Sequence, residues 1–324
     1  MTREELDKHI SQYLLLNVPA ITNESLVYGK SGVALALGLY GLASNDEYLI
    51  DRSGDILTEA LISRMNNPSF ASGWAGIGWC TLRMMEHGLI EADYTDIMGD
   101  KHRSIVNASK INGELDIRSL IGLLQYLSAY NKVLKDPTLP LLQESLLTKV
   151  EQILIEVLML RGNSPLKIVP NANITSLLEC YLRYCIISRR DIPEEVLMQY
   201  NRLYAKGIIT SSYLIGVYLH SVLGRESDYL KLIEDNLKYG ELILRTMPIP
   251  SFKAIYPVLV AHKLSNQTNQ TLEEYLLSHI GLNTPINEEK LLVAIRKEYS
   301  GNCVPVEIAR ILLYRYGRAE DIYV

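Results

Sequence analysis

Ser72-Gly73-Trp74-Ala75-Gly76-Ile77-Gly78-Trp79-Cys80 decides the fold, together with its earlier counterpart Ser31-Gly32-Val33-Ala34-Leu35-Ala36-Leu37-Gly38-Leu39-Tyr40-Gly41. Each stretch is apolar around nearly the whole circumference of a helix and small or polar at its start. A helix without a wet face has to be enclosed by others. Working outward, similar stretches open near Asp116, Asn173, Ser211, Phe252 and Val304. The seven recur every 40 to 55 residues, roughly the length of a helix pair with its two connections. Amphipathic partners precede them at Glu4 to Leu15, Glu47 to Arg64, Leu142 to Arg161, Ile192 to Ala205, Ser227 to Arg245 and Glu288 to Glu298, with a weaker one at Asp93 to Ala108. The clearest wet face is on Leu142 to Leu160, where Lys149, Glu151, Gln152 and Glu156 oppose Leu146, Val150, Ile153 and Val157. Gly162-Asn163-Ser164-Pro165 ends that helix. Thr2 with Glu5, Asp191 with Glu194 and Thr271 with Glu274 predict capping boxes at three helix starts.

Enclosed helices alternating with half-wet ones imply two concentric layers, and seven such hairpins predict an all-α fold, an α/α toroid formed by residues 1–324 as one domain. An open solenoid of the same repeats is the alternative. In the toroid the inner helices run the same way, so their N-termini and the loops before them converge on one mouth with partial positive charge. No strand alternation is present. The two Gly-rich stretches follow no strand and end in no Gly-Lys-Ser/Thr, which excludes phosphate loops.

Composition narrows the class further. A chain of 324 residues that is 48% hydrophobic and 21% charged buries a large core and is not disordered. A net charge of −5 gives no global source for nucleic-acid binding. Residues 31–45 are too short to span a membrane, and residues 207–224 carry Thr210, Ser211, Ser212, Tyr213, Tyr218, His220 and Ser221, so no membrane span is expected. The charged start, with Arg3, Glu4, Glu5, Asp7 and Lys8, is unlike a signal peptide. Cys80, Cys180, Cys185 and Cys303 read as free thiols of a reducing compartment. The expected location is cytoplasmic.

Phe70-Ala71-Ser72-Gly73-Trp74-Ala75-Gly76-Ile77-Gly78-Trp79, followed by Leu82 and by Glu86-His87-Gly88-Leu89-Ile90, resembles the glycine-rich inner-helix motif of the lanthionine synthetase C-like (LanC-like) proteins, and Ser31 to Leu37 looks like a second copy. The resemblance implies a seven-hairpin toroid of bacterial type. Enzymes of that family add a cysteine thiol to a dehydrated Ser or Thr of a ribosomal peptide, with a zinc ion holding the thiolate. The family takes its zinc ligands from a Trp-Cys element before the fifth inner helix and a Cys-His pair before the sixth. Here those places hold Ile208-Ile209-Thr210-Ser211-Ser212 and Met247-Pro248-Ile249-Pro250-Ser251-Phe252, and no Cys-His dipeptide occurs anywhere. Ser72 stands where the second motif usually has His. No metal and no cofactor is therefore expected, and the zinc-dependent cyclase activity is not.

Other chemistry has few carriers. Cys180 and Cys185 lie about 140° apart around a helix and cannot chelate together. Cys303 opens the seventh inner segment, while His220 and His262 fall toward the C-terminal ends of theirs and read as core or rim residues. Carboxylates at the mouth, Glu114, Asp116, Glu179 and Glu307, are the catalytic candidates, with Glu179 expected to pair with Arg183 one turn on. Twenty-one tyrosines against two phenylalanines are read as rim or layer-interface residues. The mouth itself should present Tyr28, Trp74, Tyr213 and Phe252 as aromatic surfaces, Lys30, Arg118 and Lys253 as cations, and Ser72, Ser211, Ser212 and Cys303 beside them. The expectation is a zinc-less, non-catalytic LanC-like pseudoenzyme that binds a peptide or a modifying enzyme in peptide natural-product maturation. A saccharide hydrolase or lyase and a purely structural repeat protein are the alternatives.

Overall fold

The computed structural model describes the chain apart from residues 111–116, 164–170, 225–226, 248–250, 266–268, 284, 297–302 and 324. Among the described residues are fifteen α-helices and no strand. In chain order they are α1 (Arg3–Asn17), α2 (Lys30–Ser44), α3 (Glu47–Leu61), α4 (Trp74–Glu86), α5 (Tyr94–Lys110), α6 (Ile117–Leu134), α7 (Leu139–Asn163), α8 (Asn171–Ser188), α9 (Glu194–Ala205), α10 (Tyr213–Leu223), α11 (Leu230–Thr246), α12 (Phe252–Ser265), α13 (Gln270–His279), α14 (Glu288–Arg296) and α15 (Cys303–Tyr316). The seven apolar segments are α2, α4, α6, α8, α10, α12 and α15, and every residue from Trp74 to Met84 is buried. No helix among the described residues is long and apolar enough to cross a membrane.

The seven apolar helices touch in sequence. α2 packs on α4, α4 on α6, α6 on α8, α8 on α10 and α10 on α12. α12 reaches α15 where the Arg310 guanidinium lies 5.5 Å from the Tyr256 ring centre, and α15 packs against α2. One hydrophobic cluster runs through all of them, from Leu6 to Tyr323. Most amphipathic helices pair differently from the sequence expectation. α3 packs chiefly on α2, α5 on α4, α7 on α6 and α11 on α10, so these four apolar helices take the partner that follows them; α9 packs on α7, α14 packs on α15 as expected, and α1 also packs on α15. Connection length explains this. Only Asn45 and Asp46 separate α2 from α3, and a turn that short forces its two helices to lie antiparallel in contact. Asn45, at φ 53°, closes α2 in the left-handed conformation that Asn tolerates, and Asp46 caps α3 through Leu49 N.

The capping box at Thr2 and Glu5 forms, with Thr2 N donating to Glu5 Oε2 at 2.7 Å and Glu5 N to Thr2 Oγ1 at 3.2 Å. The other two do not. Asp191 would need Ile192 in the helix, but a residue before proline is pushed out of the α region, and α9 starts after Pro193. At α13 the cap is Asn269, whose Oδ1 accepts from Leu272 N at 3.1 Å, which leaves Thr271 inside the helix. The tyrosines also lie deeper than expected. Tyr94, Tyr126, Tyr181, Tyr200, Tyr256 and Tyr323 are fully buried, and several pair their hydroxyls inside the fold, as Tyr94 does with Tyr126 at 3.0 Å.

Candidate functional site

Two loops that enter α2 and α4 are built alike. Asn23-Glu24-Ser25-Leu26-Val27-Tyr28-Gly29-Lys30-Ser31-Gly32 and Asn67-Pro68-Ser69-Phe70-Ala71-Ser72-Gly73-Trp74-Ala75-Gly76 share Asn, Ser and two Gly at the same spacing. In each, the Asn side chain accepts from the Ser N–H two residues on, at 2.9 Å. The same Asn carbonyl accepts the first helical N–H, from Lys30 at 2.9 Å and from Trp74 at 2.8 Å. The second glycine lets the helix lie against the loop backbone. A Cβ on Gly76 would sit 2.0 Å from Phe70 O, and one on Gly32 2.3 Å from Leu26 O. Val27 N donates to Ala71 O at 3.1 Å and joins the two loops.

The residues predicted for the mouth are distributed unevenly around these helix starts. Tyr28, Arg118 and Lys253 are exposed. Lys30 is paired with Glu59 at 2.7 Å. Trp74, Tyr213 and Phe252 are buried, so they do not offer the aromatic surface expected of them. Trp74 donates from Nε1 to Met65 O at 2.6 Å under the Lys101 ammonium, and Tyr213 OH meets His262 Nε2 at 2.9 Å. Apolar rings next to a core gain more by burial than by facing water. Ser72 Oγ is held by Asn67 and Ser69, and Ser211 Oγ by Tyr204 OH. Asp116 and Glu114 lie outside the described residues, as does the side chain of Cys303.

Glu179 is bonded to Ser212, not Arg183. Ser212 Oγ donates to Glu179 Oε1 at 2.6 Å while it accepts from Ile215 N as the cap of α10, and Ser212 N donates to Asn236 Oδ1, which also takes the Tyr200 hydroxyl. Burial raises the Glu179 carboxyl above the usual range, opposed by the Ser212 bond and the Arg118 charge. A carboxyl held toward its neutral form suits a hydroxyl partner better than a guanidinium. An acid with a raised folded pKa contributes stability below the unfolded value and loses it as pH rises through the folded one. Glu179→Gln should therefore gain on the wild type as pH increases. Urea midpoints at pH 5 and pH 8 check this, and a pH-independent difference would refute it. Glu307 is likewise inside the fold, 3.2 Å from Arg310 Nη1, and does not face an open mouth.

Zinc chemistry finds no fitting donors among the described residues, where no three His, Cys, Asp or Glu side chains come together to hold a metal ion. Cys80 is fully buried, donates to Ser31 O at 3.1 Å and has its thiol pushed far up by burial, and Cys185 is pushed up to about 12 for the same reason. Ligand thiols need the opposite shift. His262 is a core residue, as read from the sequence, with Nδ1 3.5 Å from Glu273 Oε2.

The sequence reading missed Arg83 and gave Arg183 a partner that it does not take. At the opposite pole, where α4, α6 and α8 end, lies a cavity of ≈ 270 Å³ lined by Trp79, Arg83, Gln125, Lys132, Arg183 and Tyr184 among others. Arg83 is 3% exposed and gives Nε to Asp321 Oδ1 at 2.6 Å and Nη2 to Glu320 at 3.1 Å, with Glu86 on Nη1. Lys132 bridges Glu86 at 2.9 Å and Glu320 at 3.2 Å, and His87 Nε2 meets Asp321 at 2.9 Å. A lone arginine in a helix with no wet face was the available signal, because such a charge needs a buried partner. Comparison with models of known protein families and with curated proteins returned no match to this chain.

Proposed function

We propose that the chain is a zinc-free LanC-like α/α toroid whose inner-helix N-termini bind an acidic peptide or the acidic face of a modifying enzyme, without catalysing a reaction. The twin Asn-x-Ser loops carry this reading. They repeat one loop-to-helix unit at the two places where the sequence resembles the family, and they are bonded to each other. The contact order that returns from α15 to α2 supports ring closure. Burial pushes the Cys80 and Cys185 thiols up, which disfavours thiolate chemistry at those two positions. Tyr28, Arg118 and Lys253 are the exposed groups at the helix starts, and Arg118 is held toward Ser176 Oγ at 2.7 Å. Two cations at positive helix ends favour carboxylates.

The test is fluorescence anisotropy with a labelled hexaglutamate peptide at low and moderate salt. The double variant Arg118→Ala, Lys253→Ala should bind it about fivefold more weakly, since each exposed charge contributes up to about 1 kcal/mol. Equal affinity would overturn the reading. One observation favours a second reading, a saccharide hydrolase or lyase: burial holds Glu179 toward its acid form, as a general acid requires. Release of reducing ends that Glu179→Gln abolishes would replace the binding role with this one.

A further inference from the structure

We propose that the cavity at the C-terminal ends of α4, α6 and α8 binds a small organic monocarboxylate, whose charged end is taken by Arg183. The inference is independent of the function proposed above, because the cavity and the proposed mouth are at opposite ends of the apolar helices.

The argument starts from which cations are already satisfied. Of the four that line the cavity, Arg83 holds Asp321, Glu86 and Glu320, Lys132 holds Glu86 and Glu320, and Arg190 holds Glu144 in a two-pronged pair. Arg183 is different. It is only 7% exposed, yet its guanidinium makes no hydrogen bond or ion pair among the described residues. Its nitrogens keep contact with the solvent of the cavity and are not sealed in the core, so the guanidinium has no protein partner to give up before it takes an anion. An unpaired guanidinium that opens into a cavity is prepared for an anion. The planar fork of arginine matches a carboxylate through two parallel hydrogen bonds.

The surroundings select the kind of anion. A single unpaired cation balances a single negative charge, and Glu320 on the cavity wall, with Glu86 and Asp321 behind it, repels a second. This disfavours a phosphate dianion. Trp79, Tyr184, Ile187 and Ile322 line the same cavity and give an organic body apolar surface to cover. Gln125 and Gln143 add neutral hydrogen-bonding groups, Gln143 Nε2 already donating to Ser128 Oγ at 3.2 Å. At ≈ 270 Å³ the space suits a single ring or a short chain. Lys132 and Arg190, both partly exposed, stand at the rim and leave a charged approach for an anion.

The chain has two tryptophans, and only Trp79 lines the cavity. In a Trp74→Phe background, Trp79 fluorescence therefore reports occupancy when benzoate, benzamide or inorganic phosphate is titrated in a buffer free of carboxylate and phosphate. Benzoate should give a saturable change and bind about tenfold more tightly than benzamide, its uncharged counterpart. Arg183→Gln should weaken benzoate about tenfold and leave benzamide unchanged, with Arg183→Lys in between. Arg183 has no ion pair to lose, so the unliganded Arg183→Gln variant should be about as stable as the wild type, and its urea midpoint checks that it folds. No saturation by about 20 mM benzoate, equal binding of benzamide, or affinity that survives Arg183→Gln would overturn the proposal. Tighter binding of phosphate than of benzoate would overturn the assignment to a monocarboxylate.

Discussion

Gly76→Ala is expected to be among the costliest alanine substitutions at the described glycines. The new Cβ would stand 2.0 Å from Phe70 O and 2.8 Å from Leu26 Cβ. The first of these is backbone, and the loop that carries it is fixed at Asn67 by the bonds to Ser69 N and Trp74 N. Nothing flexible can move aside, so either the helix start or the loop must shift, and about 3 kcal/mol or more should be lost. Gly54→Ala supplies the control. Gly54 lies in the middle of α3 with no atom within 4 Å of its added Cβ, and alanine there should stabilise by about 0.5 to 1 kcal/mol. Urea unfolding of the two variants measures both. Equal midpoints would mean that the loop yields and that the tight approach is not what fixes the helix start.

The second large effect is expected at Asp321. Its carboxylate is wholly buried and takes Arg83 Nε on one oxygen and His87 Nε2 and Arg318 N on the other. Asp321→Ala leaves the 3% exposed Arg83 guanidinium short of its main partner, and removing one member of a buried pair costs about 3 to 5 kcal/mol. Glu320 touches the same guanidinium from a position 40% exposed, so Glu320→Gln should cost less than about 1 kcal/mol. The contrast between two adjacent acids on one arginine is the measurement. Similar losses at both would mean that burial does not set the strength of this network.

The helices were legible because they depend on periodicity, and all seven apolar segments fall on helices within a few residues of their predicted starts. The partners of α2, α4, α6 and α10 were misassigned, while α14 packs on α15 as expected, because a sequence pattern states that a face needs covering but not by which neighbour. Turn length decided that, through Asn45 and Asp46. Of the predicted mouth, the cations Arg118 and Lys253 stand in solvent as read, whereas Trp74, Tyr213 and Phe252 turned inward. An aromatic ring at a helix start carries no mark of which side it will take. The Asn and Ser of the twin loops were visible in the sequence, six and four residues before each first glycine, and gain meaning only through the bonds they make. Arg183 shows the opposite case. Its charge was legible, but its lack of a partner is a property of three-dimensional space.

The packing of α15 against α2 also sets the order of events during synthesis. α2 is almost entirely apolar, and one of its covers is made only after every residue from Ser44 to Cys303 has been added. Contacts between such distant parts of a chain form slowly, because a long loop must close before they reward it. Until then α2 and α4 stand beside a missing neighbour. The nascent chain therefore carries a sticky flank until α15 has emerged, the condition under which chaperones bind and copies associate wrongly.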